Sequence, residues 1–281
     1  MPIEKPLPLM VGNKAYYSLT SYDPVEIEVD VPYTSEEDIQ LGIEMTVADL
    51  GGTMADLDNP DWVAEHFDGL TTRKQVEAAM RQQVDSMNAQ MAEEQKVGKC
   101  VEALSARLGQ SIPPQHLEQA RQAVQMRFTQ QLQAEGITPD QFLARSGATV
   151  AQMDAMFDQQ ARTMCEGDAA LSAYAHEKKL KVDEHEYGRL LGLSPDDLKT
   201  VMEQARATGQ MDELREAALR SKAAQIVVAE CSCTYNHETP EQARRRIAQF
   251  RQMQQMYDDR FGSDEPADDT PEEGKTGFKL V

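Results

Sequence analysis

The residues best suited to chemistry stand near the end of the sequence: Cys231, Cys233 and His237, with Glu238 beside them. Thiolate, imidazole and carboxylate groups are ligands of zinc, and a pair of cysteines can also exchange disulfides. Zinc sites usually combine two ligand pairs, whereas this sequence supplies one. Two surface or core thiols are the alternative, and we expect no metal and no cofactor. A zinc content near zero in protein purified without chelator would exclude the metal site.

The remaining histidines are scattered and form no catalytic pattern. No serine or cysteine nucleophile accompanies them, and His185 lies between Glu184 and Glu186, which is typical of a solvated helix surface. We therefore predict no catalytic residues and no enzymatic activity. These histidines are His66, His116, His176 and His185.

Apolar residues at intervals of three or four predict one long amphipathic helix from Thr72 to Leu108. At about 1.5 Å per residue it would be roughly 50 Å long, so it must project or be covered by other helices. Three of its apolar positions are Met, a flexible side chain that suits surfaces accepting many partners. The apolar stripe comprises Val76, Met80, Val84, Met87, Met91, Val97, Val101, Leu104 and Leu108.

The composition indicates a large, acidic, helical protein. The chain of 281 residues can bury a sizeable core, and it has 27% charged residues and a net charge of -20. That charge argues against binding to nucleic acid or anionic membranes, because both need clustered Lys and Arg. No segment has the composition of a signal peptide or a membrane-spanning helix, and four cysteines in so long a chain favour a reducing compartment. We therefore expect a cytoplasmic protein.

Capping residues divide the chain into helices. A Thr followed three residues later by Glu or Gln is typical of the reciprocal capping box, and Ser194 followed by Pro195 is a related start. Gly and Pro residues mark the helix ends. The capping pairs are Thr34 with Glu37, Thr72 with Gln75, Thr138 with Gln141, Thr149 with Gln152 and Thr239 with Gln242. The predicted helices are 35–50, 72–108, 114–135, 139–146, 150–179, 183–191, 195–207, 211–231 and 240–260, with one further turn between Trp62 and Phe67.

The segments outside these helices differ in character. Residues 1–24 contain four Pro and are predicted to form an extended arm. Residues 25–31 alternate Val or Ile with acidic residues, which predicts a half-buried strand that must pair with the arm, a second copy or a partner chain. Residues 263–281 are acidic and poor in apolar residues, so we predict disorder. The expected domains are 1–60, an arm and strand-helix segment, and 61–262, a helical domain followed by that tail.

From about Asp61 to Cys231 the sequence resembles the C-terminal, substrate-binding domain of trigger factor, an ATP-independent chaperone. That family has an acidic entry, a long helix, an Ile-Pro break, an arm helix, a short helix, a second long helix, a charged link and a final helix. No Gly-Phe-Arg-x-Gly segment, the family's ribosome-docking signature, occurs here, and no room is left for a prolyl-isomerase domain. The corresponding segments are DWVAEHFDGLTT, the helix from Thr72, Ile112-Pro113, Leu117 to Gly136, DQFLARSG, the helix from Val150, LKVDEHEY and LREAALRSKAAQIVVAE.

The resemblance implies a mainly α fold, a multi-helix chaperone domain with long helical arms and a small N-terminal strand-helix segment. It implies a holding chaperone that binds non-native polypeptides on apolar helix faces, without nucleotide and without prolyl isomerase activity. Unfolded or nascent polypeptides would be its partners, a homodimer stays open, and neither direct nucleic-acid binding nor membrane binding is expected. The residues expected to contact a client, about half of which should prove to be core, are Met87, Met91, Met126, Phe128, Met153, Met156 and Phe157.

The same apolar stripes also fit a structural or adaptor protein that binds one defined partner or a second copy of the chain. The strand at 25–31 gives this alternative some weight, because an exposed strand edge invites a partner strand. Promiscuity separates the two functions. A chaperone should slow the aggregation of several unrelated proteins, whereas an adaptor should not.

Overall fold

The computed structural model describes residues 5–11 and 14–261 and shows a mainly α protein, as the sequence predicts. The predicted disordered tail at 263–281 lies outside the described residues. The strands are β1 (Leu9–Val11), β2 (Lys14–Tyr16), β3 (Glu26–Val31) and β4 (Ser232–His237). The helices are α1 (Glu36–Asp49), α2 (Pro60–His66), α3 (Arg73–Ala106), α4 (Pro114–Ala134), α5 (Pro139–Ser146), α6 (Val150–Glu177), α7 (Tyr187–Leu191), α8 (Pro195–Thr208), α9 (Met211–Glu230) and α10 (Pro240–Phe261).

Most of the predicted capping boxes are present, and one is displaced. The Thr138 hydroxyl accepts a hydrogen bond from the backbone N–H of Gln141, whose side chain accepts one from Thr138 in return. At α1, however, the prediction of Thr34 with Glu37 is wrong, because Ser35 and Asp38 form the box. Thr34 is used elsewhere: its hydroxyl accepts a hydrogen bond from the side-chain amide of Asn88, on α3.

The strand predicted at 25–31 is present, and its partner is β4 rather than any of the three expected partners. Ser232 donates a backbone hydrogen bond to Val25 and Glu238 donates one to Val31, both at 2.9 Å. Donor and acceptor are separated by the same number of residues in both bonds, so the two strands run parallel. The proline-rich arm forms a separate antiparallel hairpin, in which β1 pairs with β2.

The described part of the chain forms two compact units, residues 5–11, 14–28 and 96–234 in the first and residues 29–95 and 235–261 in the second. The first unit is built on α6, which packs against α4 and α9. A small residue also lets α6 approach α3 closely, since a Cβ added at Gly167 would lie 3.0 Å from the side chain of Val101, on α3. Ala169, Ala170, Ala173 and Ala175 continue this buried small-residue surface of α6.

The second unit has an apolar core that joins α1, α2 and the first half of α3. The boundary expected near residue 60 therefore lies inside this unit. Trp62, the only Trp of the chain, packs against the core and stacks on His66 at a centroid distance of 4.3 Å. The buried core residues are Ile39, Ile43, Val47, Leu57, Val63, Phe67, Val76, Met80 and Val84.

Changing Gly52 to Ala should destabilise the second unit by about 1 to 3 kcal/mol, because the backbone there touches the indole ring. A Cβ at this position would lie 2.4 Å from the Cζ2 atom of Trp62. Urea unfolding is followed by Trp fluorescence, which reports on the second unit, and by far-ultraviolet circular dichroism, which also reports on the first unit. The matched control is Gly98→Ala on α3, where a Cβ meets nothing within 4 Å, and we expect it to stabilise the helix by up to about 1 kcal/mol. Equal effects of the two variants would contradict this packing.

Candidate functional site

The apolar stripe of α3 divides in the second unit into a buried face and an exposed face. Met87 and Met91 are 40% and 42% exposed, although both belong to the predicted stripe. Asn88 and Ala92, which directly follow the two methionines in sequence, are buried. Asn88 can be buried because its amide donates a 3.0 Å hydrogen bond to the Thr34 hydroxyl. The exposed pair, which we call the α3 methionine pair, is thus left available to a ligand.

The arm helix α4 of the first unit presents Met126 to solvent, 63% exposed. Met126 and Phe128 are two residues apart, about 200° around a helix, so they lie on opposite faces. Phe128 is half-buried and packs toward the neighbouring helices. The solvent-facing concavity around Met126 is lined by Gln119, Gln122, Ala123, Met126, Arg127 and Gln130.

Three phenylalanines form an aromatic cluster that ties α4, α5 and α6 together. Phe128 lies edge-on to Phe142 at a centroid distance of 5.1 Å and to Phe157 at 5.4 Å. Phe157 is only 4% exposed. It is therefore a core residue in this structure, and its predicted role as a client contact is not supported by its position.

The first turns of α6 carry a second methionine surface, which we define by Val150, Met153 and Met156. Met156 is 46% exposed and Val150 is also exposed, whereas Met153 is half-buried. Arg121 of α4 fixes this part of α6 through ion pairs of 2.7 Å to both Asp154 and Asp158. The side chains of Asp154 and Asp158 are 47% and 66% exposed, so the pairs orient the helices more than they stabilise them.

Several exposed apolar residues escaped the sequence analysis. On α10, Ala243 and Ile247 are buried, but the next apolar residues follow at intervals of three. Steps of three rotate a side chain by about 60° each time, which carries the stripe away from the buried face. This drift is visible in the sequence and could have identified the exposed apolar residues of α10. The missed residues are Phe250, Met253 and Met256 on α10, Met45 and Leu50 at the end of α1, and Leu7, Leu9, Met10 and Val11 at the hairpin.

A polar cluster holds α10 in the second unit. Arg246 donates hydrogen bonds to Asp38 at 2.9 and 3.2 Å, to Glu238 and to the backbone carbonyl of Tyr33. Burial alone would raise the pKa of Asp38, but hydrogen bonds from Arg246 and Ser35 hold it below its ordinary value. The carboxylates of Asp38 and Glu238 in turn raise the pKa of Arg246. The cluster is thus a structural clamp between α1, β4 and α10.

Asp38→Asn should lower the free energy of unfolding of the second unit by about 1 kcal/mol at neutral pH. The effect is no larger because solvent partly screens Arg246. Because the folded pKa of Asp38 is lowered, its contribution is fully present above the unfolded pKa of about 4. It is lost as the pH falls through the folded pKa. The difference between wild type and variant should therefore be constant from pH 5 to 7 and shrink below pH 4.

Urea unfolding monitored by Trp62 fluorescence across this pH range tests the clamp. Glu65→Gln, which removes one exposed carboxylate from the same unit, is the control, and its effect should be small throughout. A wild-type advantage over Asp38→Asn that grows as the pH falls below 4 would contradict the assigned direction of the pKa.

The residues that opened the sequence analysis are Cys231, Cys233, His237 and Glu238. Within the described residues no group of three or more His, Cys, Asp or Glu side chains is placed to hold a metal ion. His237 is exposed in the second unit, whereas Cys231 and Cys233 belong to the first. In the first unit, burial raises the pKa of Cys100 to about 12, and the thiols of Cys231 and Cys233 raise it further.

No helix in the part of the chain that the structure describes is long and apolar enough to cross a bilayer.

A family model described as the C-terminus of the bacterial trigger factor protein matches residues 72–229, more than half of the chain. Among solved structures, the chain is similar to trigger factor domains from Thermotoga maritima, with 19% identity over 52% of this chain and 86% of that one and a TM-score of 0.36. It is also similar to the hypothetical Mycoplasma protein MPN555, with 9% identity over 81% of this chain and 94% of that one and a TM-score of 0.40. No curated protein matches the sequence.

Proposed function

Because the chain belongs to the trigger factor C-terminal family, we propose that it is an ATP-independent holding chaperone for unfolded or nascent polypeptides. The observation that carries the proposal is the exposure of Met126 and Met156 on two helices of the family-matched region. The α3 methionine pair adds a separate exposed surface in the second unit. Each unit then binds clients on its own apolar helix faces.

Methionine suits this function for a physical reason. Its unbranched, polarisable side chain adapts to differently shaped apolar partners, so one surface can accept many sequences. Clients are unfolded chains with no fixed shape, and a rigid surface of Ile or Leu would select among them. The exposed methionines are therefore matched to promiscuous binding.

The expected affinity is weak enough for release without nucleotide. A client that buries about 400 Å² of apolar surface gains on the order of 10 kcal/mol at about 25 cal/mol per Å². Association costs of roughly 4 to 15 kcal/mol cancel much of this gain and leave dissociation constants near micromolar or weaker. Such complexes dissociate spontaneously, so ATP hydrolysis is not required.

The net charge of -20 supports the same function. Like-charge repulsion between molecules keeps the exposed apolar faces from associating with one another. The negative charge also attracts basic stretches of unfolded clients. We further propose that the protein acts in the cytoplasm, and that the family-matched region has no prolyl isomerase activity, since that region corresponds to the family's C-terminal part.

Light scattering by two unrelated aggregating proteins, with and without this protein, tests the function. Near-equimolar protein without nucleotide should slow the aggregation of both. A prolyl-peptide isomerisation assay should give the uncatalysed rate. The adaptor alternative drew weight from an unpaired strand at 25–31, and one edge of this strand pairs with β4 of the same chain.

A further inference from the structure

A cleft of about 320 Å³ lies in the first unit and shares no lining residue with the methionine surfaces. Its floor is one face of α6, because the lining residues of that helix recur at intervals of three or four. At about 1.5 Å per residue, the floor is roughly 16 Å long. We call this feature the α6 cleft, and its floor includes Cys165, Ala169, Ser172, Ala173 and His176.

The hairpin, the start of α4 and one face of α9 form the walls of the α6 cleft. On the hairpin side the lining residues are Ala15 and Tyr16 of β2 and the following Tyr17. Just beyond Tyr17, the backbones of Ser18 and Thr20 form hydrogen bonds of 2.8 Å with the turn that follows α3. These bonds fix the base of the hairpin against the end of α3.

Three polar groups line the α6 cleft without a protein partner. They are the hydroxyls of Tyr17 and Ser172 and the imidazole of His116, and all three residues are half-buried. None of the three groups makes a hydrogen bond or an ion pair within the part of the chain that the structure describes. Burial raises the pKa of Tyr17, and the Cys165 thiol adds to this effect, so the hydroxyl remains a donor. A ligand that bonds to these groups satisfies polar atoms that are already partly removed from water.

The charged side chains of the α6 cleft face one another. Arg220 of α9 pairs with Asp168 of α6 at 3.3 Å, and Glu216 of α9 lies 3.6 Å from the imidazole of His176. A phosphate or another strongly charged ligand would have to displace these contacts. The α6 cleft therefore favours an uncharged ligand that has several hydrogen-bonding groups.

The backbone of an extended polypeptide is such a ligand. Each residue other than Pro offers one N–H and one C=O, neither of them charged. An extended chain advances about 3.3 Å per residue, so about five residues fit along the floor. The small side chains of Ala169, Ser172 and Ala173 leave room for a backbone to approach α6 closely.

We propose that the α6 cleft binds an extended segment of a non-native polypeptide through its backbone, and this proposal rests on the proposed function. Tyr17, Ser172 and His116 bond to peptide groups of the client, whereas the methionine surfaces contact its apolar side chains. Because every polypeptide has the same backbone, the cleft adds affinity without adding selectivity for sequence. Each such hydrogen bond contributes about two- to tenfold in affinity.

Tyr17→Phe combined with Ser172→Ala tests the proposal, because it removes both hydroxyls and keeps the aromatic ring and the small floor. We expect binding of a fluorescently labelled, permanently unfolded protein, measured by anisotropy, to weaken about tenfold. The melting temperature should change by less than about 3 °C, since neither hydroxyl has a protein partner. The matched control, Tyr187→Phe with Ser232→Ala, removes one Tyr and one Ser hydroxyl from α7 and β4 of the same unit, outside the cleft. It should bind as the wild type does.

Two further measurements identify the contact. The ratio of wild-type to variant affinity should be the same at about 50 mM and about 500 mM salt, because salt does not screen a hydrogen bond between uncharged groups. The unfolded protein should also slow hydrogen–deuterium exchange at Ala15, Tyr16 and Tyr17 in the wild type, and should slow it less in the double variant.

An unchanged affinity of the double variant for the unfolded protein would overturn the proposal. An affinity ratio that falls to one at high salt would also overturn it, because the cleft would then recognise charged side chains. Hairpin exchange that slows with rising protein concentration, without client, would mean that a second copy occupies the cleft, and the proposal would fail. In each of these cases the wild type still binds the client, so the proposed function stands. A wild type that binds no unfolded protein would instead overturn the proposed function, and this proposal with it.

Discussion

Replacing Phe157 with Ala is expected to lower the free energy of unfolding by about 3 kcal/mol. The side chain is 4% exposed and packs edge-on against Phe128 in the cluster that joins α4, α5 and α6. Removing the ring deletes its apolar contacts and leaves a cavity that rigid neighbouring helices cannot fill. Urea unfolding followed by far-ultraviolet circular dichroism measures the loss.

Met156→Ser is the matched control, since it alters the adjacent residue of the same helix. Met156 is 46% exposed, so the variant should cost less than about 1 kcal/mol, mainly through helix propensity. The two variants together separate a core position from a surface position. If Met156→Ser were as destabilising as Phe157→Ala, the surface assigned to Met156 would be core as well.

Changing Met87 and Met91 together to Ser should weaken client binding about tenfold while lowering the melting temperature by less than about 3 °C. Both side chains are about two-fifths exposed, at 40% and 42%, so they contribute little to the core. A client that covers them would lose roughly 1 to 2 kcal/mol of apolar contact in the variant. Binding of a fluorescently labelled, permanently unfolded protein, measured by anisotropy, gives the affinity.

Gln82→Ser combined with Gln90→Ser is the matched control for this experiment. Both are exposed residues of α3, and their replacement has a similar cost in helix propensity without removing apolar surface. This control also removes the exposed hydrogen bond from Gln90 to Glu94, which lies about one helical turn further along. Losing that bond should cost a few tenths of a kcal/mol. The control should bind clients as the wild type does. A fall of the melting temperature by about ten degrees or more in the methionine variant would instead place Met87 and Met91 in the core.

The helices could be predicted because their signals are local. Capping boxes, Pro at the first helical position and Gly at the ends depend on neighbouring residues alone, and the predicted α5 at 139–146 matches the observed Pro139–Ser146. At α1 the local rule was ambiguous, because Thr34 and Ser35 are both capping residues. The amide of Asn88 decided between them, and that contact is 54 residues away in sequence.

The partner of β3 could not be predicted for a related reason. Ser232–His237 has no alternation of apolar and polar residues, because most of this strand is exposed and it contributes mainly backbone hydrogen bonds. Residue patterns detect burial, so a strand without a buried face leaves no pattern.

The exposure of the candidate residues could be predicted only in part. Counting apolar residues along α3 located Met87 and Met91 correctly on one stripe, but it could not show that a satisfied Asn88 would take the buried position instead. On α6 the same count could not distinguish Met156 from Phe157, which are adjacent in sequence and about 100° apart around the helix. Only the positions of the neighbouring helices decide which of them is covered.

The most direct test of the proposed function is light scattering of two unrelated, unfolding proteins with and without this protein, at a near-equimolar ratio and without nucleotide. The proposed holding chaperone should slow the aggregation of both, and the Met87 and Met91 double variant should slow it less. Suppression of neither protein would contradict the proposed function. The trigger factor fold would then serve a defined partner, and capture of that partner would be the next experiment.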